Sequence, residues 1–306
     1  MPGGKFIPGN IEERKEFIQI RDLVETIPEF QLWPELAEVF ERAGNVPRPD
    51  WELPIRACLS VGGQKSDAIA VAASVACLQI SIILADDMLD DDPRGAHRLL
   101  GSGPVSNMSL AFQAASFRLL EIPTSEAIVK NKLKDTLAQA AFLTAHGQHL
   151  DIKNLDSEED YWIVVKAKST PFYAATLKLG SIVGGASDST SSRLSELGSI
   201  FGEIIQLEDD LEDAFALPAK ADWLQGRNNL LILFARTAQH DQKERFEDLL
   251  SEIANPNALK EAQQILIESG AVSYCVYQLA RRFHLSLNCI IWRNVLGSVY
   301  IWKNDK

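Results

Sequence analysis

Two short runs of carboxylates stand out for the chemistry they could do. Asp86, Asp87 and Asp90 lie in Asp-Asp-Met-Leu-Asp, and Asp209, Asp210 and Asp213 repeat the spacing in Asp-Asp-Leu-Glu-Asp. On a helix, residues i, i+1 and i+4 fall on neighbouring parts of one face, so each run forms a carboxylate comb. Two facing combs could chelate Mg²⁺, which takes oxygen ligands, keeps several waters and shares its shell with substrate phosphate. A single acidic run is more often a solvated helix face. Here each run closes a long apolar, helix-like stretch, the end of a helix where negative charge is disfavoured, and a cation joining the acids would relieve their repulsion.

The elements that position these combs must come from a chain of 306 residues with 46% hydrophobic content, enough for a substantial core. No Gly/Ser linker, low-complexity tract or short-period repeat divides it, so a single domain over residues 1–306 is expected. A net charge of -12 argues against nucleic acid or an anionic membrane as the main partner. Cys58, Cys77, Cys275 and Cys289 have neither zinc-site spacing nor the density of a disulfide scaffold, which favours a reducing cytoplasm. Met1 to Asn10 lacks the basic start and apolar stretch of a secretory signal. Ala68 to Ala85 carries no charge over a length that could cross a bilayer. It is rich in small residues and runs into aspartates with no aromatic or basic anchor, so a helix buried on all sides is expected, not an integral membrane protein.

Apolar periodicity predicts helices over Glu12–Glu25, Pro34–Ala43, Ser66–Asp90, Met108–Leu120, Ser125–Leu150, Ser157–Val183, Ser189–Phe215, Asn228–Ala238, Gln242–Ala254, Ala258–Glu268 and Ser273–Trp302. Strand signals are almost absent. Ser66-Asp67 and Ser157-Glu158-Glu159 carry cap chemistry, and Pro171 should bend its long helix. Gly- and Pro-containing stretches, Asp91–Ser106 and Leu217–Gly226, read as loops following each comb. They bring Arg94, Arg98 and Lys220 with them, and Arg227 lies just beyond; Arg98 reads as surface charge.

Taken in order, these residues resemble the trans-isoprenyl diphosphate synthases (polyprenyl synthetases) and their class I terpenoid relatives. Leu84 to Asp90 is similar to the family's first aspartate-rich motif. Gly202 to Asp213 resembles the second, with Gln206 three places before the aspartate pair. Gly147-Gln148-His149-Leu150-Asp151 is similar to Gly-Gln-x-x-Asp, and Lys166 to Thr170 to the Lys-Ser/Thr helix break. Lys220-Ala221-Asp222 and Gly226-Arg227-Asn228-Asn229 follow Lys-x-Asp and Gly-Lys-x-Thr, with Arg for Lys and Asn for Thr. The resemblance implies an all-α single-domain helical bundle of the isoprenoid synthase type with a deep central pocket. It implies Mg²⁺ held by Asp86, Asp87, Asp90, Asp209, Asp210 and Asp213, an allylic prenyl diphosphate substrate, and a homodimer. Asp86, Asp87, Asp90, Lys168 and Asp209 take catalytic roles in that reading. Gln79, Ser81, Ile82, Arg94, Gln148, Lys168, Ser169, Gln206, Lys220 and Arg227 line the substrate. Breaking an allylic C–O bond leaves a carbocation and a diphosphate, so metal and fixed cations must stabilise the leaving group while apolar faces exclude water.

The chain departs from the family where isopentenyl diphosphate would bind. The family's Gly-Gly-Lys-x-x-Arg reads Gly62-Gly63-Gln64-Lys65-Ser66-Asp67 here, so a lysine becomes Gln64 and an arginine becomes Asp67. Arg-Arg-Gly becomes Pro93-Arg94-Gly95. Gln79 replaces the His of some members, as in farnesyl-type enzymes. Three readings follow: prenyl transfer, to isopentenyl diphosphate or another acceptor; a terpene synthase that cyclises without it; and a non-catalytic partner subunit, which two intact aspartate sets oppose. Another basic group filling the second site, Arg56 or Lys65, would restore elongation. Ser81 and Ile82, with Leu78 deeper, lack the large aromatics that would cap a short chain, which suggests room for fifteen carbons or more; ordinary core packing is the alternative. His146 and His149 read as helix-face residues, having no third metal ligand nearby. Trp292 and Trp302 read as packing residues of the last helix.

Overall fold

The computed structural model describes residues 15–46, 48–152 and 157–287, and every regular element among them is helical. Helices α1 (Lys15–Glu25), α2 (Pro28–Gln31) and α3 (Pro34–Gly44) lead through a 3-10 turn at Pro49–Glu52 to α4 (Leu53–Ser60) and the long α5 (Lys65–Leu89). Next come α6 (His97–Leu100), α7 (Ser102–Leu119), α8 (Ala127–Asp151), α9 (Glu158–Lys168), α10 (Thr170–Val183) and α11 (Asp188–Ala214). They are followed by α12 (Ala221–Leu224), α13 (Leu230–Thr237), α14 (Lys243–Leu250), α15 (Pro256–Glu268) and α16 (Ala271–Leu287).

Two helices carry the architecture. α5 is buried nearly all round, and its small residues Ala68, Ala72, Ala73 and Ala76 admit its neighbours closely. The polar Ser74 is accommodated because its hydroxyl donates to Ser116 O of α7 at 2.7 Å. α10 packs against α4, α5, α8 and α11. Three apolar clusters fill the bundle: one joins α1–α3, α5 and α7, a second α4, α5, α8, α10 and α11, and a third α9, α11 and α13–α16. Among the described residues α5 is the helix that meets the length and apolarity for crossing a membrane, and 78% of its apolar 18-residue window is buried in the bundle.

The boundaries differ from expectation where local chemistry outweighs periodicity. The long helix predicted over 157–183 is two helices, α9 and α10, because Pro171 in the first turn of α10 cannot donate to the preceding turn. α7 begins at Ser102, inside the stretch read as a loop: Gly101 makes the break with φ 86°, and Pro104 sits in the first turn, where a missing N–H costs nothing. α4 was not expected; eight residues, most of them apolar, show no clear period. Ser157 caps α9 by accepting from Asp160 N at 3.1 Å, whereas α5 starts at Lys65 with no side-chain cap from Ser66 or Asp67. Residues 12–14, Cys289, Trp292 and Trp302 lie outside the described residues.

Candidate active site

The centre of the site is the break between α9 and α10, and two glycines bring its neighbours into place. A Cβ on Gly147 of α8 would stand 2.2 Å from Lys168 N, and one on Gly202 of α11 2.8 Å from Thr170 Cα. Only glycine lets α8 and α11 approach the break backbone this closely. One residue after Gly147, Gln148 Nε2 donates to Asp86 Oδ1 at 3.2 Å. One turn after Gly202, Gln206 Oε1 accepts from Ser169 Oγ at 2.6 Å. Lys168, the last residue of α9, places Nζ 2.6 Å from Asp151 Oδ2 and 3.2 Å from Asp86 Oδ1. Burial alone would lower its pKa, but the Asp86 and Asp151 carboxylates prevail and hold the ammonium above its ordinary value.

The first comb is split by helical rotation. Asp86 and Asp90, four residues apart, face the cations: Lys168 meets Asp86, and Arg227 Nη2 lies 3.1 Å from Asp90 Oδ1. Burial and the repulsion of Asp86 push Asp90 up to about 6. Asp87, turned by one residue, faces the following loop. Burial, then Asp92 and Asp86, raise its pKa, while His97 and Arg94 oppose the rise.

The second comb is split more sharply, and Asp210, expected among the metal ligands, is turned into the protein. Asp210 is 1% exposed, and its carboxylate accepts from Tyr161 Oη at 2.7 Å, Leu230 N at 2.8 Å and Gln206 Nε2 at 2.9 Å. Burial, then the charge of Asp222, pushes it up to about 8. These bonds tie α11 to α9 and α13. Asp209 is exposed and Asp213 half-buried, so these two remain as ligand candidates. Lys220 bonds Asp213, and Arg94, whose guanidinium is 2.9 Å from Asp92, also lies within the field of Asp213. The hydrogen bonds from Arg94 lower the pKa of Asp92 against its burial, with a smaller contribution from the charge of Lys220.

The residues expected around a second diphosphate are paired within the protein. Gln79 does not present a free amide: its Oε1 accepts from Trp51 Nε1 at 2.6 Å and its Nε2 donates to Asp50 Oδ2 at 3.1 Å. Lys65 is paired with Glu16 of α1, and Arg56 with Glu52 at 2.8 Å. Neither substitute cation is uncommitted. Ser81 Oγ lies 3.2 Å from Ser109 Oγ of α7, while Ile82 packs, half-buried, on the cluster that contains Leu78. His146 and His149 are exposed, as expected of helix-face residues.

The donors fit Mg²⁺ as a shared rather than a caged ion. Among the described residues no three His, Cys, Asp or Glu side chains converge into a preformed metal site. Mg²⁺ commonly takes one or two carboxylates and completes its shell with water and phosphate, which Asp86, Asp90, Asp209 and Asp213 can supply. One cavity of the bundle lies away from the combs. That cavity, about 580 Å³, lies between α9 and α16 and includes none of the aspartates. A smaller one of about 120 Å³ is lined by Asp222, Arg227, Asn228 and Asn229.

Several residues of the site carried no role beforehand. Asp151 accepts from Lys168 and from Asn228 Nδ2 at 3.0 Å. Asn229 caps α13 and donates to Asp222 Oδ2 at 2.7 Å and to Asp210 O at 2.9 Å. Gln225 Nε2 donates to Asp90 O at 2.9 Å. The Gly-Gln-x-x-Asp spacing could have marked Asp151, since i and i+3 share a helix face. Nothing local marks Tyr161, Trp51 or Asp50.

Comparison with known proteins identifies the family. The polyprenyl synthetase family matches residues 36–266, a span that includes both combs. A short chain isoprenyl diphosphate synthase of Methanothermobacter thermautotrophicus is 27% identical over 84% of this chain and 82% of its own. A geranylgeranyl diphosphate synthase of Methanosarcina mazei is 25% identical over 72% and 71%. In fold, a geranylgeranyl pyrophosphate synthetase from Pyrococcus horikoshii superposes with TM-score 0.79 at 20% identity, covering 90% of this chain and 89% of its own. A polyprenyl synthase from Caulobacter crescentus, solved with calcium and isoprenyl diphosphate, gives 0.79 at 21% identity, covering 96% of each chain. With the family match running from α3 to α15 and through both carboxylate clusters, the chain belongs to the polyprenyl synthetase family and is a prenyltransferase.

Proposed function

We propose that this single domain, spanning residues 1–306, ionises an allylic prenyl diphosphate at the two aspartate clusters and transfers its prenyl group to isopentenyl diphosphate. The observation that carries the reading is Lys168, fixed 3.2 Å from Asp86 and 2.6 Å from Asp151, with Arg227 3.1 Å from Asp90. Cations locked beside carboxylates suit a site that takes up a metal–diphosphate and then stabilises negative charge on the leaving group. Mg²⁺, held by Asp86, Asp90, Asp209 and Asp213 with help from Asp87, would neutralise the diphosphate and polarise its ester oxygen. Lys168 and Arg227 orient the diphosphate, Lys220 and Arg94 meet it from the two loops, and Gln148 and Gln206 hold Asp86 and Ser169 in place. The apolar residues below the combs, Ile82 and Leu78 among them, shelter the cation from water.

A second reading, cyclisation without isopentenyl diphosphate, is favoured by one observation: Lys65, Arg56 and Gln79 are all committed to protein partners where the second diphosphate would need them. We infer a homodimer, supported by exposed apolar side chains on α7 and α8, Leu110, Ile128 and Phe142. A cytoplasmic location is supported by Cys58, Cys77 and Cys275 as buried, free thiols. The test is incubation with Mg²⁺ and geranyl, farnesyl or geranylgeranyl diphosphate, with and without isopentenyl diphosphate, followed by mass analysis. Longer diphosphates formed only with isopentenyl diphosphate support transfer. Hydrocarbons or alcohols formed without it would replace transfer by the second reading.

A further inference from the structure

Among the described residues, Asp91 is the one non-glycine with a left-handed backbone, at φ 54°. It follows directly on Asp90 at the end of α5, where helices commonly turn out through a left-handed residue and where that residue is usually glycine. Asp92 N closes the turn by donating to Asp87 O at 2.9 Å. An L side chain is disfavoured in this region, aspartate less than most, and such a conformation persists where surrounding groups hold it.

The holding groups are Arg98 and His97. Arg98 Nη2 donates to Asp91 O at 2.7 Å and lies 2.6 Å from Asp91 Oδ2, so one guanidinium grips both the backbone and the side chain of the strained residue. The buried His97 places Nε2 3.4 Å from Asp91 Oδ1. The same ring backs the loop further on. A Cβ on Gly95 would stand 2.5 Å from His97 Nδ1 and 3.0 Å from Asp87 Cβ, so the backbone there passes between the histidine and the first comb. Arg94 immediately precedes Gly95 and is held by Asp92 at 2.9 Å. Arg98 and Asp91 are both exposed, and an exposed ion pair adds little to stability. What this pair fixes is the direction in which the chain leaves α5.

We propose that Arg98 is a positioning residue: by clamping Asp91 in its left-handed turn, it sets the loop that carries Arg94 to the substrate diphosphate. This rests on the function proposed above. Arg98 touches no substrate and acts through Asp91 on Arg94. Without the clamp, Asp91 relaxes toward the ordinary right-handed or extended backbone, and the loop leaves the comb in another direction. Lys168 and Arg227 reach the diphosphate from other parts of the chain, so binding through the loop suffers while ionisation does not.

The test is Arg98→Ala in three backgrounds of the full-length protein. The readouts are calorimetric titration of inorganic diphosphate in Mg²⁺, steady-state kinetics with an allylic diphosphate, and thermal melting. In the otherwise unchanged protein, Kd for diphosphate and KM for the allylic substrate rise ~5–20-fold, while kcat stays within about threefold and Tm within about 2 °C. In Asp91→Gly, where the turn needs no clamp, Arg98→Ala costs less than about twofold in Kd. In Arg94→Ala, where the guanidinium to be positioned is gone, it again costs less than about twofold, because residues acting through one another do not add. An unchanged Kd in Arg98→Ala, or the same loss in all three backgrounds, overturns the assignment and leaves the proposed function standing. A wild-type protein that binds no diphosphate in Mg²⁺ overturns the function and this inference together.

Discussion

Gly147→Ala tests whether the helix break is the part that sets the catalytic geometry. The added Cβ would stand 2.2 Å from both Ala167 C and Lys168 N and 2.4 Å from Lys168 Cα, where ordinary contact begins at 3.4 Å. The obstructing atoms are backbone, so no rotamer change relieves the overlap, and α8 must part from the break by about 1 Å. Overpacking of this kind costs ~1–3 kcal/mol, a fall of a few degrees in Tm for a chain of this size. The functional loss is larger. Lys168 lies 3.2 Å from Asp86 and Gln148 lies 3.2 Å from the same carboxylate, and a ~1 Å misplacement of catalytic groups costs on the order of 10²-fold in rate. Gly202→Ala, with its nearest contacts at 2.8 and 3.0 Å, should be milder. Gly103→Ala in the first turn of α7 meets nothing within 4 Å and should be neutral or stabilising by up to ~1 kcal/mol. Diphosphate release from an allylic substrate and thermal melting of the three variants give the ranking. Gly147→Ala with wild-type rate and Tm, or Gly103→Ala as the most damaging of the three, would show that the helix break does not set the geometry.

Lys168→Met leaves Asp86 and Asp151 without their shared cation in a largely buried setting, so we expect a loss of ~3–5 kcal/mol in stability by denaturant titration and a rate loss of at least ~10²-fold. Asp210 gives a pH signature. Its folded pKa of about 8 lies above the unfolded value near 3.8, so the contribution of its neutral form is complete below pH ~4 and is lost as pH rises through 8. Asp210→Asn keeps a neutral group there, with the Gln206 amide turning to accept from it. The variant should therefore gain most in Tm over wild type above pH 8 and little near pH 5, and a Tm difference independent of pH would count against a protonated Asp210. Restoring charge at the second site with Gln64→Lys and Asp67→Arg should lower KM for isopentenyl diphosphate about tenfold or more in kinetic assays; no change would mean that the acceptor binds elsewhere.

The helices were legible because α5 and α11 combine long apolar runs with carboxylates at their ends, and their bounds fall within two residues of expectation. α4 was not legible: its Leu53-Pro54 start and short apolar run resemble loop and core alike. The combs were legible as spacing but not as rotation. Sequence places Asp87 beside Asp86 and Asp210 beside Asp209, yet about 100° of helical turn sends each second aspartate to a different environment. Whether Asp210 meets an ion or Tyr161 depends on α9 and α13, which lie far from it along the chain. The fate of the second site was equally hidden. The loss of cations at Gln64 and Asp67 could be read directly, but the capture of Lys65 by Glu16 depends on how α1 packs on α5. The Gly-Gln pairing at 147–148 was readable as a motif, and its physical reason, the approach of backbone to backbone at Lys168, needed the fold.

If the aspartate clusters hold a diphosphate through divalent metal, with Lys168 and Arg227 beside it, diphosphate binding depends on that metal. Calorimetric titration of inorganic diphosphate into the purified protein, with Mg²⁺ and with chelator, tests this without any assumption about acceptor or product. Binding that requires Mg²⁺ and is abolished in both Asp86→Asn and Asp209→Asn is the predicted result. Binding of equal strength in chelator, or undiminished in Asp209→Asn, would contradict the account.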